Sequence, residues 1–367
     1  MLILSIITLG FLKEIRYQKN PLLLDISFGL YTLGGVLSLF FSYQRINSFP
    51  AYFLGILFFS IIITLNSEET KKIFKIMLFS GLFISLYGIY QYLFGFAQTA
   101  EYILKTNPYF FTNHLIRNYL LSHRIFALFF SPNMLAGYLI MLIPLGMGYF
   151  SEKKKSIFYF FSGIMFFTLL LTQSLGGIIS LIISFVFLFL IIRPQIISKR
   201  YFLFSLIIIL VLIMPIVYLR ANRIFNFENP HNSLIQRINF IRLSLKIIKD
   251  NLFKGVGMGN FGDTYLRYRR PDDIRTNYAH NLILQIQAEL GIFGGLGIIL
   301  IILLFIRDVF AYRKRKFSFS GFSLLWAGTA FLIHNLIDLS FFIPEVAIFF
   351  WIIWAGFKNL SVEKTLP

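Results

Sequence analysis

The chain has 367 residues and a formal net charge of +18, yet only 14% of it is charged, against the roughly 25% usual in soluble domains. With 57% hydrophobic residues and a mean hydropathy of +0.75, it is excluded from the soluble globular classes. Cysteine is absent, which excludes disulfides and Cys metal sites.

In chain order, the apolar runs fall at 22–42, 48–66, 74–96, 131–150, 156–173, 175–193, 201–219, 281–306, 320–338 and 341–357. Each is long enough to read as a helix crossing roughly 30 Å of hydrocarbon. Met1–Leu12 is apolar but too short to span, and no A-x-A-like site follows it, so no cleavable signal peptide is expected. The reading is an all-α polytopic membrane protein with about 10–12 transmembrane helices. Residues 1–367 form one integral membrane domain, with 220–280 as a single large extracytoplasmic loop. The 46 Phe and 19 Tyr suit lipid-facing surfaces and interfacial belts.

Short basic connections set the orientation. Lys13/Arg16/Lys19, Lys71/Lys72/Lys75, Lys153-Lys154-Lys155, Arg193/Lys199/Arg200 and Arg307/Arg313/Lys314/Arg315/Lys316 fall on alternate connections, which places them in the cytoplasm. Residues 97–130 and 220–280 then lie on the other side. The 220–280 loop holds eleven Lys/Arg against five Asp/Glu. Long loops translocate regardless of charge, so the orientation stands. The excess calls for an anionic partner, and at a membrane face it is not read as nucleic-acid binding.

Inside that loop, Leu234, Ile238, Ile241, Leu245, Ile248 and Leu252 recur at helical spacing, an amphipathic helix lying either on the membrane or against the bundle. Asn232 or Ser233 is placed to cap it. Arg242, Lys246 and Lys249 follow one flank, with Arg237 on the opposite edge of the apolar stripe. Gly255-Val256-Gly257-Met258-Gly259-Asn260 stops the helix; its spacing is wrong for a dinucleotide or phosphate loop, and a tight permissive turn is the plain reading, with backbone contacts to a ligand as the alternative.

His280 opens the next span, followed by Asn281, Gln285 and Glu289. Polar groups there need partners, because an unpaired one in hydrocarbon costs several kcal/mol. His280 reads equally as a general base near neutral pH and as an interfacial histidine bonded to a loop carbonyl. Arg267, Arg269, Arg270 and Arg275 read individually as solvated and collectively as a possible anion site, since arginine suits diphosphate better than lysine. His334 and Asp338 stand at i, i+4, facing either the same cavity or a neighbouring helix. No further ligand stands at metal-site spacing, so neither a metal nor a cofactor is expected.

These motifs together resemble the O-antigen ligase and O-antigen polymerase superfamily of bacterial membrane glycosyltransferases. Arg237 followed by Gly255-Val-Gly-Met-Gly-Asn260-Phe261 is similar to the family's Arg…G-x-G-x-G-N-F run. Ala279-His280-Asn281…Gln285…Glu289-Leu290-Gly291…Gly294 is similar to its A-H-N…L-Q…E-L-G…G run, including the His-x10-Gly spacing of the ligases. Arg124…Pro132-Asn133…Ala136 and His334-Asn335…Asp338 resemble outlying family motifs. The chain departs from the pattern at Leu175, where the family often carries arginine in a Ser-Arg-Gly run, and at Ile241.

The resemblance implies a GT-C-type helical bundle in the bacterial inner membrane, with the active loop on the periplasmic face. It implies metal-independent transfer of a glycan from undecaprenyl diphosphate to an acceptor such as lipid A–core. Arg237 would hold the diphosphate and His280 would act on the acceptor hydroxyl as the catalytic pair. Arg124, Arg242, Arg267, Arg270, Asn281, His334 and Asp338 would bind substrate. Partners would be the lipid-linked donor, a glycan or lipid acceptor and the bilayer. Repeat-unit polymerisation is the alternative outcome. A lipid or glycan transporter would favour internal repeats, of which none stands out, and a non-catalytic scaffold would tolerate loss of His280 and Arg237.

Overall fold

The structure is a computed structural model that describes residues 21–42, 45–107, 109, 120–151, 155–192, 214–218, 220–221, 225–227, 232–271 and 273–362. The helices are α1 (Pro21–Leu39), α2 (Arg45–Ile62), α3 (Ser67–Tyr90), α4 (Phe96–Thr106), α5 (Pro132–Ser151), α6 (Lys155–Leu171), α7 (Leu175–Ile192), α8 (Ser233–Asp250), α9 (Phe261–Tyr268), α10 (Leu282–Tyr312), α11 (Phe319–His334) and α12 (Pro344–Val362). No strand occurs among the described residues.

Among the described residues, four helical stretches are long and apolar enough to cross a membrane: Leu22–Leu39, Ser67–Thr106, Leu175–Ile192 and Leu282–Tyr312. Ser48–Ile62, Phe160–Leu171 and Phe319–His334 are shorter apolar helices. The chain is an all-α polytopic membrane protein. The Met1–Leu12 stub, the basic cluster at 13–19 and most of the expected span at 201–219 lie outside the described residues, although 214–218 is helical.

Several element ends differ from the sequence reading. The span expected at 74–96 begins earlier, where Asn66 and Glu69 form a reciprocal capping box, and it runs on through a π turn at Gln91–Gly95 into α4. Good helix formers (Ala, Gln, Glu, Lys) carry it to Thr106. The span expected at 320–338 ends at His334, because Asn335 folds the chain over: its amide donates to Phe331 O (2.8 Å) and accepts from Phe341 N (2.7 Å). His334 and Asp338 are therefore not one turn apart on a single helix; Asp338 stands in the loop before α12.

Close helix approaches hold the bundle. In water-free surroundings helix contact relies on packing rather than the hydrophobic effect, and small residues permit it. A Cβ added at Gly34 of α1 would fall 2.3 Å from Gly294 N of α10, and one at Gly297 would fall 2.4 Å from Tyr31 N. At one end of the bundle Asn359 of α12 donates to Ile62 O and Thr70 Oγ1, and Lys358 pairs with Asp308 at 2.7 Å. The 232–281 segment caps the opposite end, where Ser42 donates to Met258 O (2.6 Å) and Asn260 to Phe41 O (2.8 Å).

The amphipathic segment forms α8, with Asn232 as its cap. Phe240, Leu243, Ser244 and Ile247 turn inward against α9 and α10. The stripe read from the sequence turns the other way: Leu234, Ile238, Ile241, Leu245 and Leu252 are 44%, 64%, 38%, 52% and 40% exposed. Ile248 alone of that stripe packs inward. An exposed apolar stripe of this kind suits a lipid surface better than water.

Candidate active site

Arg237 sits one turn into α8, where the Asn232 cap (Oδ1 accepting from Leu234 N at 2.9 Å and Ile235 N at 3.2 Å) fixes the helix start. Its Nε donates to Ile337 O (2.7 Å) and its Nη1 to Ser233 O (3.2 Å), while Nη2 stands 4.0 Å from Asp338 Oδ2. The guanidinium thus bridges α8 and the loop between α11 and α12, with a quarter of its side chain still open to solvent.

Asp338 is almost fully buried, 3.7 Å from His334 Nε2, and its Oδ1 accepts from Ser340 Oγ (3.1 Å). Burial pushes its carboxyl up, but His334, His280, Arg237 and the Leu339 N–H outweigh this and hold it below its ordinary value. His334 Nε2 also lies 3.3 Å from Asn133 O at the start of α5.

His280 joins this group by charge, since Asp338 and Arg237 both act on it. The α10 start places it. Asn281 caps α10 through Leu284 N (3.0 Å) and donates to Leu336 O (3.0 Å), while Leu282 N reaches Asn335 O (2.8 Å). Ala279 N is held by Gln285 Oε1 (2.6 Å). Between these anchors His280 takes a left-handed backbone, φ +50°, which a non-glycine residue adopts only when its surroundings impose it. Its ring stacks on Phe240 (centroids 5.1 Å apart, 18° between planes), and its Nδ1 is buried without a hydrogen-bond partner. Burial pushes the imidazole down to about 4; Asp338 opposes that and Arg237 adds to it. The ring is therefore neutral at pH 7.

Glu289 explains the glycine run. Buried in α10, it accepts from Tyr52 Oη, Gln285 Nε2 (2.9 Å), Gly259 N (2.8 Å) and Phe261 N (3.0 Å). Val256 N and Gly257 N pair with Ala288 O and Glu289 O. Gly291 leaves helical geometry (φ 66°, ψ −162°) so that Phe253 O can bond Ile292 N; a Cβ there would lie 2.2 Å from that oxygen. The amides of Val256, Gly257 and Gly259 are spent on docking and that of Asn260 closes a local turn onto Gly257 O, in line with the turn reading. The interval between His280 and Gly291 marks this break, which seats the loop beside the histidine.

The remaining expected residues are placed unequally. Arg124 donates through Nε to Thr172 O (3.0 Å) and through Nη2 to Asn133 Oδ1 (3.2 Å), so it meets His334 through Asn133. Arg242 is half-buried with its Nε lacking a hydrogen-bond partner, close enough to Tyr265 for its charge to act there. Arg267 and Arg270 are exposed and contribute no contact to the Arg237–Asp338–His280 group. Leu175 is buried at the start of α7, and Arg220 donates to Gln173 O (2.9 Å) nearby.

A family model described as O-Antigen ligase matches residues 160–299. That match supports the resemblance to the O-antigen ligase and polymerase superfamily. The matched stretch contains Arg237, the glycine run, His280, Glu289 and Gly291, and leaves Arg124, His334 and Asp338 outside it. No curated protein matches the chain. The superfamily implies membrane glycosyltransferase-like activity in polysaccharide biosynthesis. Phe240 and Tyr52 are the site residues that sequence reading missed; a hydroxyl inside an apolar run is the only signal Tyr52 gives, and Phe240 looks like any core aromatic.

Proposed function

We propose that the protein is a ligase-like glycosyltransferase that moves a glycan from undecaprenyl diphosphate to an acceptor such as lipid A–core, without a metal, on the periplasmic face of the bacterial inner membrane. The observation that carries this reading is a juxtaposition. A half-open arginine and an unpartnered buried imidazole nitrogen lie beside a helix that exposes the apolar Leu234, Ile238, Ile241 and Leu245. A charged head group and a long hydrocarbon tail are the two chemistries such a surface accommodates.

In the reaction, the acceptor hydroxyl oxygen attacks the anomeric carbon and the bond from that carbon to the phosphate oxygen breaks. The diphosphate leaves with its negative charge held by Arg237. The acceptor proton passes to His280 Nδ1 and then to solvent. A free imidazole at about 4 is a weak base. A bound diphosphate offsets the Arg237 charge and adds negative charge of its own, which raises the imidazole's pKa toward the working pH, where proton transfer is most effective. Asp338 holds Arg237 and adds to the same field.

Repeat-unit polymerisation uses the same site with a second lipid-linked glycan as acceptor. Because Gly291 answers to loop docking, the His-x10-Gly spacing describes the site's architecture and leaves the acceptor to experiment. Purified protein is incubated with an undecaprenyl-diphosphate oligosaccharide, alone and then with lipid A–core. Transfer only in the second arm is expected; a ladder of longer lipid-linked glycans in the first establishes polymerisation instead.

A further inference from the structure

Past Gly291, α10 presents two faces. One packs into the bundle: Gly297 lies against Tyr31 of α1, and Phe305 meets Phe350 and Trp354 of α12 (ring centroids 5.7 and 5.9 Å apart). The other is a narrow stripe. Leu296, Ile299, Leu303, Arg307, Phe310 and Lys314 recur at steps of three or four residues, which places them on one side of the helix. Lys314 stands just past the last turn, where its N–H still bonds Ala311 O (3.2 Å). Leu296, Ile299, Leu303 and Phe310 are exposed, and 38% of the Arg307 side chain is open.

The stripe changes character along its length. Its first turns are aliphatic, as a lipid-facing helix requires, and its last turns carry cations. From Arg307 to Lys316 the chain holds five Lys/Arg against the single carboxylate of Asp308. That carboxylate is already engaged: Asp308 Oδ2 accepts from Lys358 Nζ (2.7 Å) and Trp354 Nε1 (2.9 Å) of α12. Arg307 Nη2 reaches only the other oxygen, at 3.5 Å. Lys358 by itself balances Asp308, so Arg307 is a second cation on one negative charge. A fixed positive charge at the edge of hydrocarbon draws a counter-charge, and the anions held at that depth are lipid phosphates.

We infer that the end of α10 binds an anionic glycerophospholipid, with its phosphate between Arg307 and Lys314 and its acyl chains along Leu303, Ile299 and Leu296. This face lies at the opposite end of α10 from His280 and is independent of the glycosyl-transfer reading. A zwitterionic lipid satisfies the aliphatic turns, but its own cation cancels the phosphate charge. A soluble phosphate satisfies the cations and leaves the aliphatic turns bare. An anionic lipid matches both, in the order in which they follow along the helix.

The full-length protein in detergent is melted with dioleoylphosphatidylglycerol, with dioleoylphosphatidylcholine and with glycerophosphate, which carries the charge without the tails. Native mass spectrometry counts the retained lipid. Phosphatidylglycerol is expected to raise the wild-type melting temperature by about 3 °C or more, and the other two by less than about 1 °C. Arg307→Gln and Lys314→Gln each lose at least about half of that rise, together with the retained lipid. Lys72→Gln, exposed at the same end of the bundle on α3, keeps both. If Arg307→Gln does not fold, Lys314→Gln, in the exposed connection after α10, carries the comparison. An equal rise with phosphatidylcholine, or one reproduced by glycerophosphate, overturns the site. So does a loss in Lys72→Gln as large as that in Lys314→Gln, which means diffuse attraction to the whole basic end.

Discussion

Glu289 and His280 lie within the same short stretch of chain, yet their surroundings are completed differently. Glu289 takes four hydrogen bonds, from Tyr52, Gln285, Gly259 and Phe261, and has become part of the scaffold. His280 is equally constrained in backbone but ends in a buried nitrogen with no partner. Buried polar groups in folded proteins are overwhelmingly satisfied, so the contrast separates what holds the site from what the site holds open.

The largest expected effect falls on the satisfied side. Glu289→Ala leaves the Gly259 and Phe261 amides unpaired at roughly 1–3 kcal/mol each and detaches the glycine run from α10. We expect a loss of at least 10 °C in melting temperature or failure to purify, measured by thermal unfolding in detergent; a native-like melt would refute the docking role. Arg237→Lys keeps the charge but loses the fork that reaches Ile337 O and Ser233 O together. Transfer should fall by about tenfold or more with little change in melting temperature. Unchanged transfer would place the donor elsewhere.

Acid sharpens the comparison further. The folded His280 imidazole sits at about 4 against an ordinary 6.5, so between those values the unfolded chain binds more protons than the folded one. That part of the stability is complete above 6.5 and is lost as pH falls toward 4. His280→Gln should flatten the decline in melting temperature between pH 7 and pH 5; a parallel decline in both proteins would show that His280 is not the group responsible. The smallest effect belongs to the exposed arginines. Arg267→Gln and Arg270→Gln should change donor binding by less than about twofold, as expected of solvated charges.

Hydropathy made the helical membrane class legible because spanning length is fixed by bilayer thickness. Local chemistry also showed where α8 begins, in the Asn232 cap, but not where it stops: it ends at Asp250 with Asn251 as its C-cap, before the Gly255 run. The stripe on α8 was visible, but its direction was not. Phe240, Leu243 and Ile247 supply a second apolar face, and periodicity alone cannot tell which of two faces the bundle takes. The end of α11 was missed because Asn335 terminates it through contacts with Phe331 and Phe341, which depend on a return of the chain. Arg237 and His280 stood out by residue type against apolar surroundings. Their meeting with Asp338 needed the α8, α10 and α11 ends to be brought together, and no local pattern encodes that.

The most direct test of the account is single-turnover glycan transfer from an undecaprenyl-diphosphate oligosaccharide by His280→Ala, in protein whose melting temperature matches the wild type. The account predicts a rate lower by about 10²-fold or more, the usual share of a positioned acid–base group. Wild-type transfer by folded His280→Ala would contradict it.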